Sequence, residues 1–79
     1  MIDVLFFGPV VERVGNAALK IDFRPGITLQ HLRDELAARY PQAFEIVCFT
    51  AVNGQHVRDL SMPLADNSEV TFMAKFSGG

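Results

Sequence analysis

The chain has little of what disulfide-rich, zinc-binding or nucleic-acid-binding proteins need. Its 79 residues include one cysteine, and seven lysine and arginine residues stand against nine aspartate and glutamate residues. One cysteine excludes an internal disulfide framework and a zinc cage built from cysteines. The net charge of −2 argues against nucleic-acid binding, which needs a basic stripe. Since the sequence contains neither a long apolar run nor a signal-peptide pattern, we expect a cytoplasmic protein that binds neither nucleic acid nor membranes.

Catalytic and cofactor-binding motifs are also missing. The sequence contains no phosphate-binding glycine loop and no serine nucleophile elbow. His31 and His56 are the only histidines, and two histidines without a third ligand predict no metal site. Cys48 lies in an apolar run, where a thiol is expected to behave as a small hydrophobic group. We therefore expect a chain that binds no metal or cofactor and is not catalytic alone.

Alternating apolar residues and turn signals predict an α+β fold. Asn53-Gly54 is a strong hairpin signal, and Pro41 ends the main helix, for which Thr28 is the predicted N-cap. Strands are predicted over residues 2–7, 17–23, 46–52, 55–58 and 69–76, with a short helical turn over 10–14 and the main helix over 29–39. One main helix on one face of a mixed sheet of four to five strands is typical of a β-grasp, or ubiquitin-like, fold. By analogy with that fold, the first and last strands should lie parallel at the sheet centre.

The second face of the predicted sheet carries an apolar patch. Leu5, Phe7 and Met73 alternate away from the helix side of their strands. Few residues of so short a chain remain to cover them, and exposed apolar patches on small proteins usually mark binding sites. We therefore predict an interface on this face.

The chain ends in Ser77-Gly78-Gly79. We treat residues 1–79 as one domain with a flexible tail over about 75–79. Two glycines can thread a narrow channel in an extended form, and they present the carboxylate of Gly79. A carboxylate is a poor electrophile until it is activated, for example as an acyl-adenylate. Because this chain has no phosphate-binding motif, a partner would have to bind the ATP.

Three segments together resemble the small, sulfur-carrying subunits of molybdopterin synthase. They are the opening VLFFGPVVERVG, the stretch AVNGQHVRD followed by PLADNSEVTFM, and the final SGG. The resemblance covers nearly the whole chain. It implies a cytoplasmic β-grasp protein of molybdenum cofactor biosynthesis, whose Gly79 carboxylate an E1-like enzyme adenylates and converts to a thiocarboxylate. The large synthase subunit, in a heterotetramer, then uses that sulfur to build the molybdopterin dithiolene.

The same resemblance assigns roles to individual residues. Gly79 would carry the sulfur and Gly78 would thread the channel. The expected interface comprises Leu5, Phe7, His56, Met73, Lys75 and Phe76. Two departures stand out: Ala74-Lys75 replaces two prolines that are common in the family, and His56 replaces a residue that is usually aliphatic.

Other functions stay open on the residues alone. The segment Val52-Asn53-Gly54 is shared with the sulfur carriers of the thiamin pathway, and tRNA thiolation uses carriers of the same kind. A ubiquitin-like protein modifier joined through Gly79 to lysines is an alternative of another class. A plain interaction domain with an inert tail is a third.

Overall fold

A five-stranded mixed sheet forms the centre of the chain. The structure, a computed structural model, describes residues 1–75. The strands are β1 (Ile2–Phe6), β2 (Ala18–Ile21), β3 (Val47–Val52), β4 (Gln55–Val57) and β5 (Glu69–Ala74), and they lie in the order β2-β1-β5-β3-β4. β1 and β5 are parallel neighbours, and the other pairs are antiparallel. The predicted β-grasp fold and its central parallel pair are therefore confirmed.

Three helices lie within the described residues: α1 (Pro9–Val14), α2 (Leu29–Arg39) and α3 (Pro41–Phe44). α2 has the predicted bounds. The sequence analysis did not predict α3, because it treated Pro41 only as the end of α2. Proline is also favoured in the first turn of a helix, where its missing N–H group costs nothing, and here it begins the next helix.

The hydrophobic core lies between the helices and the inner face of the sheet. Phe72 of β5 is fully buried, and its ring centroid lies 6.1 Å from that of Phe6 and 5.0 Å from that of Phe44. Such offset and edge-on aromatic pairs stabilise a core beyond their buried area. Other fully buried side chains come from β1, α1, α2 and β5: Ile2, Val4, Val10, Leu29, Leu32, Leu36 and Val70.

A capping box between Thr28 and His31 closes the N-terminus of α2. The hydroxyl oxygen of Thr28 accepts a hydrogen bond from the His31 N–H group, and His31 Nδ1 accepts one from the Thr28 N–H group, each at 3.2 Å. This reciprocal cap satisfies two donors that a helix end would otherwise leave free. His31, predicted as a surface histidine, is exposed and has this structural role.

Two exposed carboxylates fix the loops outside the sheet. The hydroxyl and N–H groups of Ser61 donate to Asp59 and lower its pKa. The N-terminal ammonium of Met1 donates to Asp66 and likewise lowers its pKa. A lowered pKa means that the folded state favours the ionised carboxylate over the protonated one. Each carboxylate therefore stabilises the fold at a pH above its ordinary pKa, and this stabilisation is lost as the pH falls through the pKa of the folded state.

The central position of Phe72 predicts a large difference between two phenylalanine substitutions. Phe72→Ala should lower the free energy of unfolding by about 3–5 kcal/mol, because it leaves a cavity in the core. Phe7→Ala removes a side chain that is 50% exposed and should cost less than about 1 kcal/mol. Urea unfolding measures both, and equal losses would contradict the described core.

Candidate docking face and tail root

The outer face of the sheet carries two rows of mostly apolar side chains across its central strands. Leu5 of β1 pairs with Thr71 of β5, which pairs with Ala51 of β3. In the next row, Met73 of β5 pairs with Phe49 of β3. Paired residues point to the same face of a sheet, so these side chains lie side by side.

Phe7 extends this second row beyond the end of β1. Its N–H group donates to the carbonyl oxygen of Phe72 at 3.4 Å, which continues the parallel register and leaves Phe7 beside Met73. With Met1, Phe7 is one of two large hydrophobic side chains exposed within residues 1–75. We call Leu5, Phe7, Phe49, Ala51 and Met73 the open-face patch.

The structure brings the predicted patch residues together and adds two. Leu5 and Met73 are half-buried on this face, and His56 is exposed at its margin, where its ring centroid lies 5.1 Å from that of Phe49. The sequence analysis missed Phe49 and Ala51. The signal was available, since alternation counted back from the buried Val52 puts both residues on the outer face.

Cys48 differs from its expected position. The register passes from Val47 opposite Ala74 to Phe49 opposite Met73, so Cys48 is the extra residue of a β-bulge. A bulge leaves its extra residue outside the regular pairing, and Cys48 is exposed. Cys48 lies within β3 as expected, but its exposure at the bulge does not fit a packed hydrophobic side chain.

The tail begins beside the open-face patch. β5 ends at Ala74 and is followed by the exposed Lys75; Phe76, Gly78 and Gly79 lie outside the described residues, so their predicted roles stay predictions. A shallow groove of about 400 Å³ lies at this point, lined in part by Pro9, Arg13, Glu45, Cys48 and Lys75. We call it the tail-root groove.

An ion pair crosses the wall of the tail-root groove. Arg13 Nη1 lies 3.7 Å from a carboxylate oxygen of Glu45, and it donates to the carbonyl oxygen of Gln42 at 2.9 Å. These contacts join α1 to the segment around α3. They position one side of the tail-root groove, which Lys75 also lines.

Within residues 1–75, no three histidine, cysteine, aspartate or glutamate side chains are grouped so that they could hold a metal ion. None of the helices in this part of the chain is long and apolar enough to cross a membrane.

Comparison with protein families decides the assignment. The model described as the ThiS family matches residues 4–79. The chain belongs to the ThiS family. That match includes the open-face patch, the tail root and the terminal glycines of this ThiS-family protein.

Individual relatives agree with the family match. The protein is 37% identical to the molybdopterin synthase sulfur carrier subunit of Escherichia coli (strain K12), over the whole length of both chains. It is 25% identical to a chain in the complex of subunits 1 and 2 of molybdopterin-converting factor from Helicobacter pylori 26695. That match has a TM-score of 0.74 and covers 99% of this chain and 97% of that one.

A structural likeness to a modifier extends to the fold alone. The small archaeal modifier protein 1 of Methanosarcina acetivorans superposes with a TM-score of 0.81 over 99% of this chain and 95% of that one, at 21% identity. This likeness supports the ubiquitin-like fold of the ThiS-family protein and carries no assignment of function.

Proposed function

We propose that the protein is the sulfur carrier of a molybdopterin synthase, with sulfur carried on the carboxylate of Gly79. The observation that carries the proposal is the arrangement at one end of the sheet. β5 leads directly into the tail, and Met73, one residue before the strand ends, belongs to the open-face patch. A partner that docks on the patch would therefore lie beside the root of the tail.

The proposed activation takes place on an E1-like partner. A carboxylate oxygen of Gly79 attacks the α-phosphorus of ATP and displaces pyrophosphate, which gives an acyl-adenylate. Hydrosulfide from a sulfur donor then attacks the acyl carbon and displaces AMP, which leaves a thiocarboxylate. The partner supplies the nucleotide site, since the sequence of this chain has no phosphate-binding glycine loop.

The proposed sulfur acceptor reacts within the large synthase subunit. The complex of subunits 1 and 2 from Helicobacter pylori supports such a partner, and we extend it to a heterotetramer of two small and two large subunits. Gly78 and Gly79 carry no side chain beyond Cα, so they fit a narrow channel. The single cysteine is consistent with a protein of the cytoplasm, and the reaction would take place in that compartment.

Two other uses of the same tail compete with this proposal. The ThiS-family match also fits sulfur carriers that serve thiamin synthesis or tRNA thiolation. A protein modifier would join Gly79 to a lysine of a target. The full-length identity to a molybdopterin synthase subunit favours the first proposal over both.

Activation of the tail predicts a defined change of mass. Incubation with ATP, the E1-like partner and a sulfur donor should increase the intact mass by one oxygen-to-sulfur exchange. A covalent adduct with another protein would instead support a modifier. An unchanged mass with an active cognate partner would contradict both functions.

Removal of Gly79 is the matched control for this experiment. The deletion should abolish the mass change, because it removes the proposed acceptor carboxylate from its position. It should leave the fold intact, since every core residue that the structure describes lies between Ile2 and Ala74. Loss of the folded circular dichroism spectrum would contradict the separation of the tail from the core.

The open-face patch makes its own prediction about docking. Phe7→Asp should weaken binding to the large subunit by about tenfold to a hundredfold, because it buries a charge in an apolar interface. Ala38→Asp is the matched control, since Ala38 is exposed on α2. Isothermal titration calorimetry measures both affinities. If the two variants bind equally well, the patch is not the docking surface.

A further inference from the structure

A second groove opens where β3 and β4 separate. β4 has three residues and pairs only with Thr50 through Val52. Among residues 1–75, no strand therefore lies beside the preceding part of β3, at Cys48 and Phe49, on that side. The gap forms a groove of about 360 Å³, lined by Arg33 of α2 and by residues at the end of β4 that include His56, Val57, Arg58 and Leu60. We call it the split-edge groove.

The charge of the split-edge groove is opposite to that of the chain. Arg33, His56 and Arg58 line it, and no carboxylate does so within the described residues. This concentration of basic groups stands against a net charge of −2. A basic groove on an acidic protein marks a surface for a negatively charged partner.

The arginine charges in the split-edge groove are available. The ion pairs within residues 1–75 use Arg13, Lys20, Arg24 and the N-terminal ammonium, so neither Arg33 nor Arg58 takes part in one there. Arg33 is held instead over the ring of Phe44, with its guanidinium carbon 5.7 Å from the ring centroid. Such a contact orients the side chain and leaves its charge uncompensated.

The nearest carboxylates along the chain are engaged elsewhere. Asp34, next to Arg33, accepts a hydrogen bond from the Gln30 side chain at 2.7 Å. Asp59, next to Arg58, accepts from Ser61 within its own turn. Within residues 1–75, neither carboxylate forms an ion pair with the adjacent arginine.

The split-edge groove is continuous with the open-face patch through Phe49. Phe49 belongs to the patch and also lines the groove. Val57 and Leu60 give the groove half-buried apolar walls. An occupant can therefore bury apolar atoms there while it presents negative charge to the arginines. A peptide segment has both parts, whereas a free inorganic anion has only the charge.

We propose that the split-edge groove binds an acidic segment of the same protein partner that docks on the open-face patch. The inference rests on the proposed function, because it requires that a partner covers that patch. Aspartate or glutamate side chains of the partner would pair with Arg33 and Arg58. The apolar patch would supply most of the affinity, and the groove would fix the orientation and speed the encounter.

The test compares binding of the large synthase subunit of the same organism to four forms of the protein. They are the unchanged chain, the double variant Arg33→Gln with Arg58→Gln, the control Arg39→Gln and the patch variant Phe7→Asp. Arg39 lies on the same helix as Arg33 and also stacks on an aromatic ring, with its guanidinium carbon 5.3 Å from the Tyr40 centroid. It does not line the groove.

The double variant should bind roughly three- to tenfold more weakly than the unchanged chain, as expected for the loss of two exposed ion pairs. Its affinity should also fall less steeply as salt is raised. Arg39→Gln should bind like the unchanged chain. Circular dichroism checks that all four forms are folded.

Each other outcome overturns a defined part of the argument. If Phe7→Asp weakens binding and the double variant does not, the proposed acidic contact is wrong while the docking proposal stands. If Phe7→Asp has no effect, or the unchanged chain does not bind, the docking proposal fails and the inference fails with it. Inorganic phosphate could instead shift the amide resonances of Phe49 and Arg58 while the double variant binds the partner as tightly as the unchanged chain. The groove would then be a site for small anions, which contradicts the proposed acidic protein segment.

Discussion

The parallel pairing of β1 with β5 is the interaction on which the rest of the structure depends. Val4 lies beside Val70 and Phe6 beside Phe72 at the centre of the sheet, where all four side chains are buried. Because the two strands run in the same direction, both end at the same side of the molecule. Phe7, Met73 and the root of the tail are therefore neighbours, although Phe7 is separated from the tail by most of the chain.

The small size of the chain limits how much of the sheet its helices can cover. A chain of this length buries a modest share of its unfolded surface, so its apolar side chains suffice for a single core. The helices cover the inner face around Phe72, and the outer face keeps Phe7 half exposed. A protein built in this way can fold and present one surface. In the proposed function, the larger partners supply nucleotide binding and catalysis, and this chain supplies a handle and a carboxylate.

Local signals predicted much of this fold. The spacing of Leu29, Leu32 and Leu36, at i, i+3 and i+7, is typical of an amphipathic helix, and α2 has the expected bounds and Thr28 cap. Asn53 and Gly54 form the predicted turn, and both have positive φ angles, 50° and 83°, as a hairpin of this type requires. These features depend on residues close together in the sequence. They can therefore be inferred without knowledge of the sheet.

Features that depend on pairing between distant strands were harder to predict. The exposure of Cys48 results from a bulge, and that bulge exists only relative to Met73 and Ala74 of β5. The split-edge groove likewise depends on where β4 stops beside β3 and on the position of Arg33 over Phe44. Strand register joins segments about 25 residues apart, and a single sequence carries no direct signal of it. The patch could be predicted in part, because Leu5, Phe7 and Met73 follow simple alternation.

In the proposed function, the folded body is the handle by which an E1-like enzyme recognises the tail. The most direct measurement is pyrophosphate release by that enzyme with the full chain, compared with a synthetic peptide of residues 71–79 at the same concentration. Rapid release is expected with the full chain and at most a trace with the peptide, because the peptide contains Met73 alone of the open-face patch and lacks the folded sheet that brings the patch together. Equal release from both would contradict the account, since the tail alone would then be a sufficient substrate.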